Sequence, residues 1–70
     1  MFEELLRDIG LSVNESRVYE ALLKVGEASV QTISIKSGVH RRNVYDSLAK
    51  LQEKGLASES FVKGEKLFKP

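Results

Sequence analysis

The chain has 70 residues, of which 41% are hydrophobic, with a net charge of +1 and no cysteine. This length fits one small domain over residues 1–70, and the lack of cysteine excludes disulfides and thiolate metal sites as sources of stability. No apolar run approaches the ~20 residues that span a bilayer and the N-terminal segment is acidic, so we expect a soluble, cytoplasmic protein with no membrane partner.

The first predicted helix occupies the start of the chain. Its apolar residues recur at helical spacing, namely Phe2, Leu5, Leu6 and Ile9. Gly10 follows them as the C-cap. From the sequence alone, this helix either completes the core or forms part of a dimer surface. A homodimer is therefore one of the expected partners to test.

A second helix begins at a capping box in the stretch "SVNE". The Ser12 hydroxyl is expected to accept a hydrogen bond from the Glu15 amide, while the Glu15 carboxylate reaches back to the Ser12 amide. Gly26 is expected to end this helix, because a left-handed residue costs least at glycine. The stripe that faces the core comprises Val18, Ala21, Leu22 and Val25, with Tyr19 beside it.

The stretch "SVQTISIKSG" predicts a third helix, with Ser29 as N-cap and Gly38 as terminator. We place Val30, Ile33 and Ile35 on its buried side. The spacing of the two isoleucines also fits a strand, which is the competing interpretation. Helix is favoured because the glycine leads directly into another helical pattern, and packing overrides the low helix propensity of β-branched residues.

The fourth helix, over about residues 40–54, has the clearest pattern. Val44, Leu48 and Leu51 lie on one face, and Gly55 ends the helix after Lys54. Only "SGV" joins this helix to the third, so the two must pack at a steep angle, as in a helix-turn-helix motif. Its outer face is then free to enter a major groove.

The last segment changes to a strand pattern. Phe61, Leu67 and Phe68 flank "VKGE", a tight turn containing glycine, and so predict a two-stranded antiparallel hairpin over about residues 57–69. The predicted fold class is mainly α with a small β-hairpin, that is, a winged helix-turn-helix.

Charge is distributed unevenly along the chain. Residues 1–27 hold three basic and six acidic side chains, whereas residues 28–70 hold eight basic and four acidic ones. A near-neutral domain of this kind presents one cationic face to a polyanion. Arg41 and Arg42 stand at a helix start, where each cation is disfavoured by about 0.3–1 kcal/mol, and a bound phosphate or base offsets that cost.

The outward face of the fourth helix carries side chains suited to DNA. Arg42 can bond O6 and N7 of guanine, Asn43 can pair with N6 and N7 of adenine, and Tyr45 can bond a phosphate or pack on a thymine methyl. Two plainer interpretations stay open. Arg42 and Asp46 form an i, i+4 ion pair on a solvated surface, or Tyr45 packs against the core.

At these motifs the sequence resembles the amino-terminal winged-helix domain of the TrmB-type transcriptional regulators. The resemblance runs from about Leu5 to Lys69 and rests on "IGLSVNESRVYEALLKVGEAS", "SGVHRRNVYDSLAKLQEKGL" and "GEKLFKP". It implies a domain that binds double-stranded DNA, inserts the helix of residues 40–54 into the major groove and lays the hairpin along the backbone. His40 stands where relatives often have proline, so the helix start loses a fixed φ but gains a group able to contact a phosphate.

These considerations give two sets of DNA-binding residues. The base-reading set comprises Arg41, Arg42, Asn43 and Tyr45. The phosphate-binding set comprises Lys36, His40, Lys50, Lys63, Lys66 and Lys69. Alternatively, the three lysines of the hairpin serve to protect its edge from aggregation.

Catalysis, metal binding and cofactors are not expected. His40 is the one histidine, so it is more simply a capping or solvated side chain than a metal ligand. Without a glycine-rich phosphate loop or paired carboxylates, the chain has little means to activate a nucleophile. We therefore predict a non-enzymatic, sequence-specific DNA-binding domain of a transcriptional regulator. The alternative is a winged helix that serves as a protein-interaction module in a transcription or replication assembly.

Overall fold

A computed structural model describes residues 10–70 of the chain. The elements in chain order are α1 (Val13–Val25), α2 (Val30–Ser37), α3 (Arg41–Glu53), β1 (Ser58–Val62) and β2 (Glu65–Lys69). This part of the chain is mainly helical with one antiparallel hairpin, so the prediction of a winged helix-turn-helix is confirmed. The helix predicted over residues 2–9 lies outside the described residues.

Helix α1 begins and ends where its local sequence predicts. The Ser12 Oγ accepts a hydrogen bond from the Glu15 amide at 3.2 Å, as expected for the capping box. Gly26, with φ of 84°, ends the helix. Val18, Ala21 and Leu22 of the predicted stripe are buried. Tyr19 and Val25 are half-buried and pack against the core, so the prediction that Tyr19 belongs to the core is confirmed.

Helix α2 confirms the helical interpretation of its segment but corrects one residue. The Ser29 Oγ accepts a hydrogen bond from the Thr32 amide at 3.3 Å and so caps the helix. Ile33 is fully buried, whereas Ile35 is 72% exposed, and the inward placement of Ile35 was therefore wrong. Residues two positions apart in an α-helix point in directions that differ by about 200° around the axis. The burial of Ile33 therefore turns Ile35 toward solvent.

The turn between α2 and α3 is fixed by side-chain hydrogen bonds. Gly38 adopts a left-handed φ of 73°, which reverses the chain at the end of α2. The Ser34 hydroxyl donates to the Val39 carbonyl at 2.6 Å, and the Val39 amide donates to the Ser37 Oγ at 3.2 Å. Because the Val39 side chain is also buried, the turn holds α3 at a defined angle to α2.

Helix α3 is anchored by its inner face and closed by a Schellman motif. Val44, Leu48 and Leu51 are buried, as predicted. At the C-terminal end, the Gly55 amide donates to the Gln52 carbonyl at 3.0 Å and the Leu56 amide to the Leu51 carbonyl at 2.9 Å. These two bonds satisfy carbonyls that the helix end leaves free.

The hairpin is joined to the helical part by a short pairing at its base. Phe61 lies directly opposite Lys66, and Glu59 directly opposite Phe68. The backbone amide and carbonyl of Phe68 also pair with those of Ala28, between α1 and α2, at 2.8 and 2.9 Å. The Phe68 side chain is buried, so it fixes the hairpin to the core.

One core unites these elements. Its buried members are Leu11, Val18, Leu22, Ala28, Val30, Ile33, Val39, Val44, Leu48, Leu51, Ala57 and Phe68. At its edge the ammonium of Lys54 donates to Oε1 of Glu15 at 2.6 Å and to the Gly10 carbonyl at 3.1 Å. Burial raises the pKa of Glu15, but hydrogen bonds from Lys54 and Ser12 outweigh burial and leave that pKa below its ordinary value.

Candidate nucleic-acid interface

The start of α3 is cationic and is capped by a histidine. The Nδ1 atom of His40 accepts a hydrogen bond from the Arg42 amide at 3.2 Å, which confirms the capping interpretation of this side chain. When Nδ1 of a neutral imidazole accepts a hydrogen bond, the ring carries its proton on Nε2. The exposed His40 side chain therefore keeps Nε2–H as a hydrogen-bond donor. No acid lies in the first turn of α3.

The arginines that follow are exposed and unpaired within the described part of the chain. The ion pairs found among residues 10–70 join Lys24 to Glu20, Lys54 to Glu15 and Lys66 to Glu59. Arg42 therefore does not form the i, i+4 pair with Asp46 that the plainer interpretation requires. Both guanidinium groups remain available to an external anion or base edge.

One flank of α3 forms a cleft of about 250 Å³ with α2 and the hairpin. The predicted residues Arg41, Tyr45 and Lys66 meet in it. The remaining lining residues are Ser29, Val30, Gln31, Glu65 and Phe68. Tyr45 is 53% exposed, so its side chain belongs to this surface and not to the core.

The other flank of α3 forms a smaller, polar cleft of about 140 Å³ with the start of α1. It brings together the predicted residues Asn43 and Lys50. The remaining lining residues are Ser12, Asn14, Glu15, Asp46 and Ser47. Two carboxylates in this lining make its charge mixed, in contrast to the cationic start of the helix.

Lys66 is held by partners inside the hairpin. Its ammonium lies 2.9 Å from Oε2 of Glu59 and 5.6 Å from the centre of the Phe68 ring. Gln52, near the end of α3, donates to the other oxygen of Glu59 at 3.2 Å. The hydrogen bonds from Lys66 and Gln52 hold the pKa of Glu59 below its ordinary value. A phosphate would therefore have to compete with Glu59 for this lysine.

The remaining predicted contacts are dispersed. Lys63 occupies the tip of the hairpin, where its backbone adopts a left-handed φ of 53° next to Gly64 at 80°. Lys69 is exposed on the hairpin face opposite to that of Lys66, because side chains alternate along a strand. Lys36 is exposed in the last turn of α2. None of these three residues lines either cleft.

Some members of this surface escape prediction from the sequence. Ser29, Gln31 and Glu65 line the larger cleft, and Asn14 lines the smaller one. Ser29 carries a capping signal, but no local pattern places it beside α3. The pairing of Ala28 with Phe68 brings the start of α2 next to strand β2, so Ser29 lines the cleft together with residues of the hairpin.

Among residues 10–70 there is no cluster of three or more His, Cys, Asp or Glu side chains that could hold a metal ion. No helix in the same part of the chain is long and apolar enough to cross a membrane.

The second helix of this helix-turn-helix starts with exposed cations and is flanked by a hairpin. This arrangement defines the class of winged-helix DNA-binding domains. Residues 6–70 match the family described as sugar-specific transcriptional regulator TrmB. The chain belongs to this family, and as such is a DNA-binding domain of a transcriptional regulator. A comparison with curated proteins finds no match.

Proposed function

We propose that this domain binds duplex DNA sequence-specifically, with α3 in the major groove and the hairpin as a wing along the sugar-phosphate backbone. The observation that carries the proposal is the start of α3, where two exposed arginines follow a histidine cap without an acidic partner among residues 10–70. Cations at this helix end cost stability in the free domain. Contact with DNA compensates that cost.

Base reading falls to residues at the front of α3. Arg42 lies on the outward side and reads guanine through O6 and N7, while Asn43 on the α1 flank reads adenine. Arg41 and Tyr45, in the larger cleft, contact the groove wall on the wing side. The exposed position of Tyr45 supports this role.

Phosphate contacts surround this reading face. The Nε2–H of His40 donates to one phosphate while Nδ1 keeps the cap. The cations of the phosphate-binding set are Lys36, Lys50, Lys63, Lys66 and Lys69. Lys66 contributes least among them, because Glu59 already neutralises its ammonium in the free domain.

The test begins with selection of binding sites from random duplexes, which reports sequence, symmetry and half-site spacing together. A homodimer would give two half-sites about 34–36 Å apart, or a multiple of that distance. Affinity for the selected duplex is then measured by fluorescence anisotropy between 50 and 300 mM salt. The four lysines of the phosphate-binding set other than Lys66 predict a log–log slope of roughly −4.

Lys24→Ala serves as the control for charge removal, since Lys24 pairs with Glu20 on α1 and has no role in the proposed site. This variant is expected to bind like the wild type. If selection yields no preferred sequence, sequence-specific reading by α3 is refuted, and if affinity does not depend on salt, the phosphate contacts are refuted. A protein-interaction module is the function that salt-independent association with a protein partner would then indicate.

A further inference from the structure

The hairpin carries an aromatic side chain that the core does not use. Phe61 in β1 is 69% exposed, and the other two phenylalanines of the chain are Phe2, outside the described residues, and Phe68, which is buried. Single exposed apolar residues are ordinary on protein surfaces. The surroundings of Phe61 are what distinguish it.

Phe61 lies on the same hairpin face as Lys66 and Phe68, two of the residues that border the larger cleft. It is directly opposite Lys66, and Glu59, on the same face, is directly opposite Phe68. Lys66 and Phe68 both line the cleft between the wing and α3. Phe61 therefore faces the side on which the proposed duplex lies, one step closer to the hairpin tip.

The cross-strand neighbour leaves the ring of Phe61 uncovered. The ammonium of Lys66 is drawn toward the base of the hairpin by Glu59 at 2.9 Å and lies over Phe68 at 5.6 Å. The tip beyond Phe61 carries the cation of Lys63. An exposed apolar ring next to a lysine is complementary to nucleic acid, where the apolar surfaces of deoxyribose rings lie beside phosphates.

From this arrangement we infer that Phe61 packs against the deoxyribose rings of the minor groove next to the major groove that α3 enters. This inference rests on the proposed function and adds an apolar contact to the wing. The contact of an apolar side chain with a minor groove depends on the width of the groove and on how easily the DNA deforms there. Lys63, at the tip, then reaches the phosphate at the edge of the same groove.

The test compares Phe61→Thr with Val62→Thr. Val62 is the adjacent residue of β1, is 45% exposed and lies on the opposite hairpin face, so it is a matched control. Threonine keeps the strand propensity at both positions. Phe61→Thr is expected to weaken binding to the selected duplex roughly ten-fold, as for loss of a buried aromatic contact, with an unchanged salt slope. Val62→Thr is expected to bind like the wild type.

A second variant gives a direct readout. The chain has no tryptophan, so Phe61→Trp introduces a single fluorophore at the proposed contact. We expect its emission to be quenched, and its quenching by acrylamide to be reduced, on addition of the selected duplex. The outcome that supports the inference is a change in both signals together with weak binding of Phe61→Thr.

Three outcomes overturn the inference. If the wild type binds DNA but Phe61→Thr binds as tightly as Val62→Thr, the inference fails and the proposed function stands. If Phe61→Thr lowers the salt slope by about one, the residue acts through a phosphate contact and not through the apolar one. If the wild type shows no salt-dependent duplex binding, the proposed function fails, and this inference fails with it.

Discussion

The Arg42 amide donates its hydrogen bond to Nδ1 of His40 at 3.2 Å, so the residue before α3 caps the helix with only one of its two ring nitrogens. Among residues 10–70, the cap leaves the second nitrogen without a partner on the exposed side chain. In the proposed complex this arrangement lets one side chain stabilise the helix start and hold a phosphate beside the arginines.

Replacing His40 with serine separates these two roles. Serine is a stronger N-cap than most residues, so His40→Ser is expected to keep or raise the free energy of unfolding by up to about 1 kcal/mol. Its hydroxyl is committed to the cap and too short to reach a phosphate, so duplex affinity is expected to fall several-fold. Urea denaturation and anisotropy titration measure the two effects. Unchanged affinity would contradict phosphate contact by His40.

At the turn of the hairpin, one substitution is also expected to affect stability and DNA binding in opposite directions. Lys63 has a φ of 53°, a conformation that asparagine adopts more readily than lysine, and it precedes Gly64. Lys63→Asn is therefore expected to raise the free energy of unfolding by about 0.5–1 kcal/mol. It removes one phosphate contact, so the salt slope becomes shallower by about 0.9. A stabilised variant with the wild-type slope would show that Lys63 does not contact DNA.

The pair of Glu15 and Lys54 predicts a dependence of stability on pH. Because the pKa of Glu15 is lowered on folding, its ionised form stabilises the domain above about pH 4.5, and this stabilisation is lost as pH falls through the folded-state pKa. Glu15→Gln is expected to cost about 1 kcal/mol at pH 7 and to lose less stability on acidification than the wild type.

Urea denaturation at pH 7, 5, 4 and 3 measures this difference. Glu53→Gln is the control, since Glu53 is exposed and makes no ion pair among residues 10–70. If Glu15→Gln and the wild type lose stability in parallel on acidification, the pair is not the source of the acid sensitivity.

Glu59 is expected to act against DNA binding. Its carboxylate neutralises Lys66, so Glu59→Gln is expected to free the lysine for a phosphate, to raise affinity for selected and random duplexes alike, and to steepen the salt slope by up to about 0.9. The gain should disappear in the double variant Glu59→Gln, Lys66→Ala, because the two residues act through one interaction. If the gain in affinity persists without Lys66, it comes from the reduced negative charge of the domain in general and not from a freed lysine.

The sequence allowed prediction of the features that local chemistry determines. The caps at Ser12 and Ser29 and the turns at Gly38 and Gly55 each depend on a few neighbouring residues, and all are observed. Ile35 was misplaced because two isoleucines at this spacing lie on different sides of a helix, and only packing against other elements decides which one is buried.

For the candidate site, the sequence predicted individual residues on α2, α3 and the hairpin, but not which of them lie together. The start of α3 could be recognised because Arg41 and Arg42 are adjacent to a helix-turn-helix turn. Pairs such as Glu15 with Lys54 depend on the packing of distant segments, and the contact of Glu59 with Lys66 depends on hairpin register. These pairs decide which cations are free, and local sequence patterns do not contain that information.

The most direct test of base reading by α3 is the affinity of Arg42→Ala for the selected duplex and for a random duplex of equal length. The proposal predicts a loss of about 1–3 kcal/mol on the selected duplex, a smaller loss on the random one, and relaxed preference at one base pair on repeated selection. Lys24→Ala should change neither affinity. Equal losses on both duplexes, with an unchanged selected sequence, would contradict the reading role of α3 at this position.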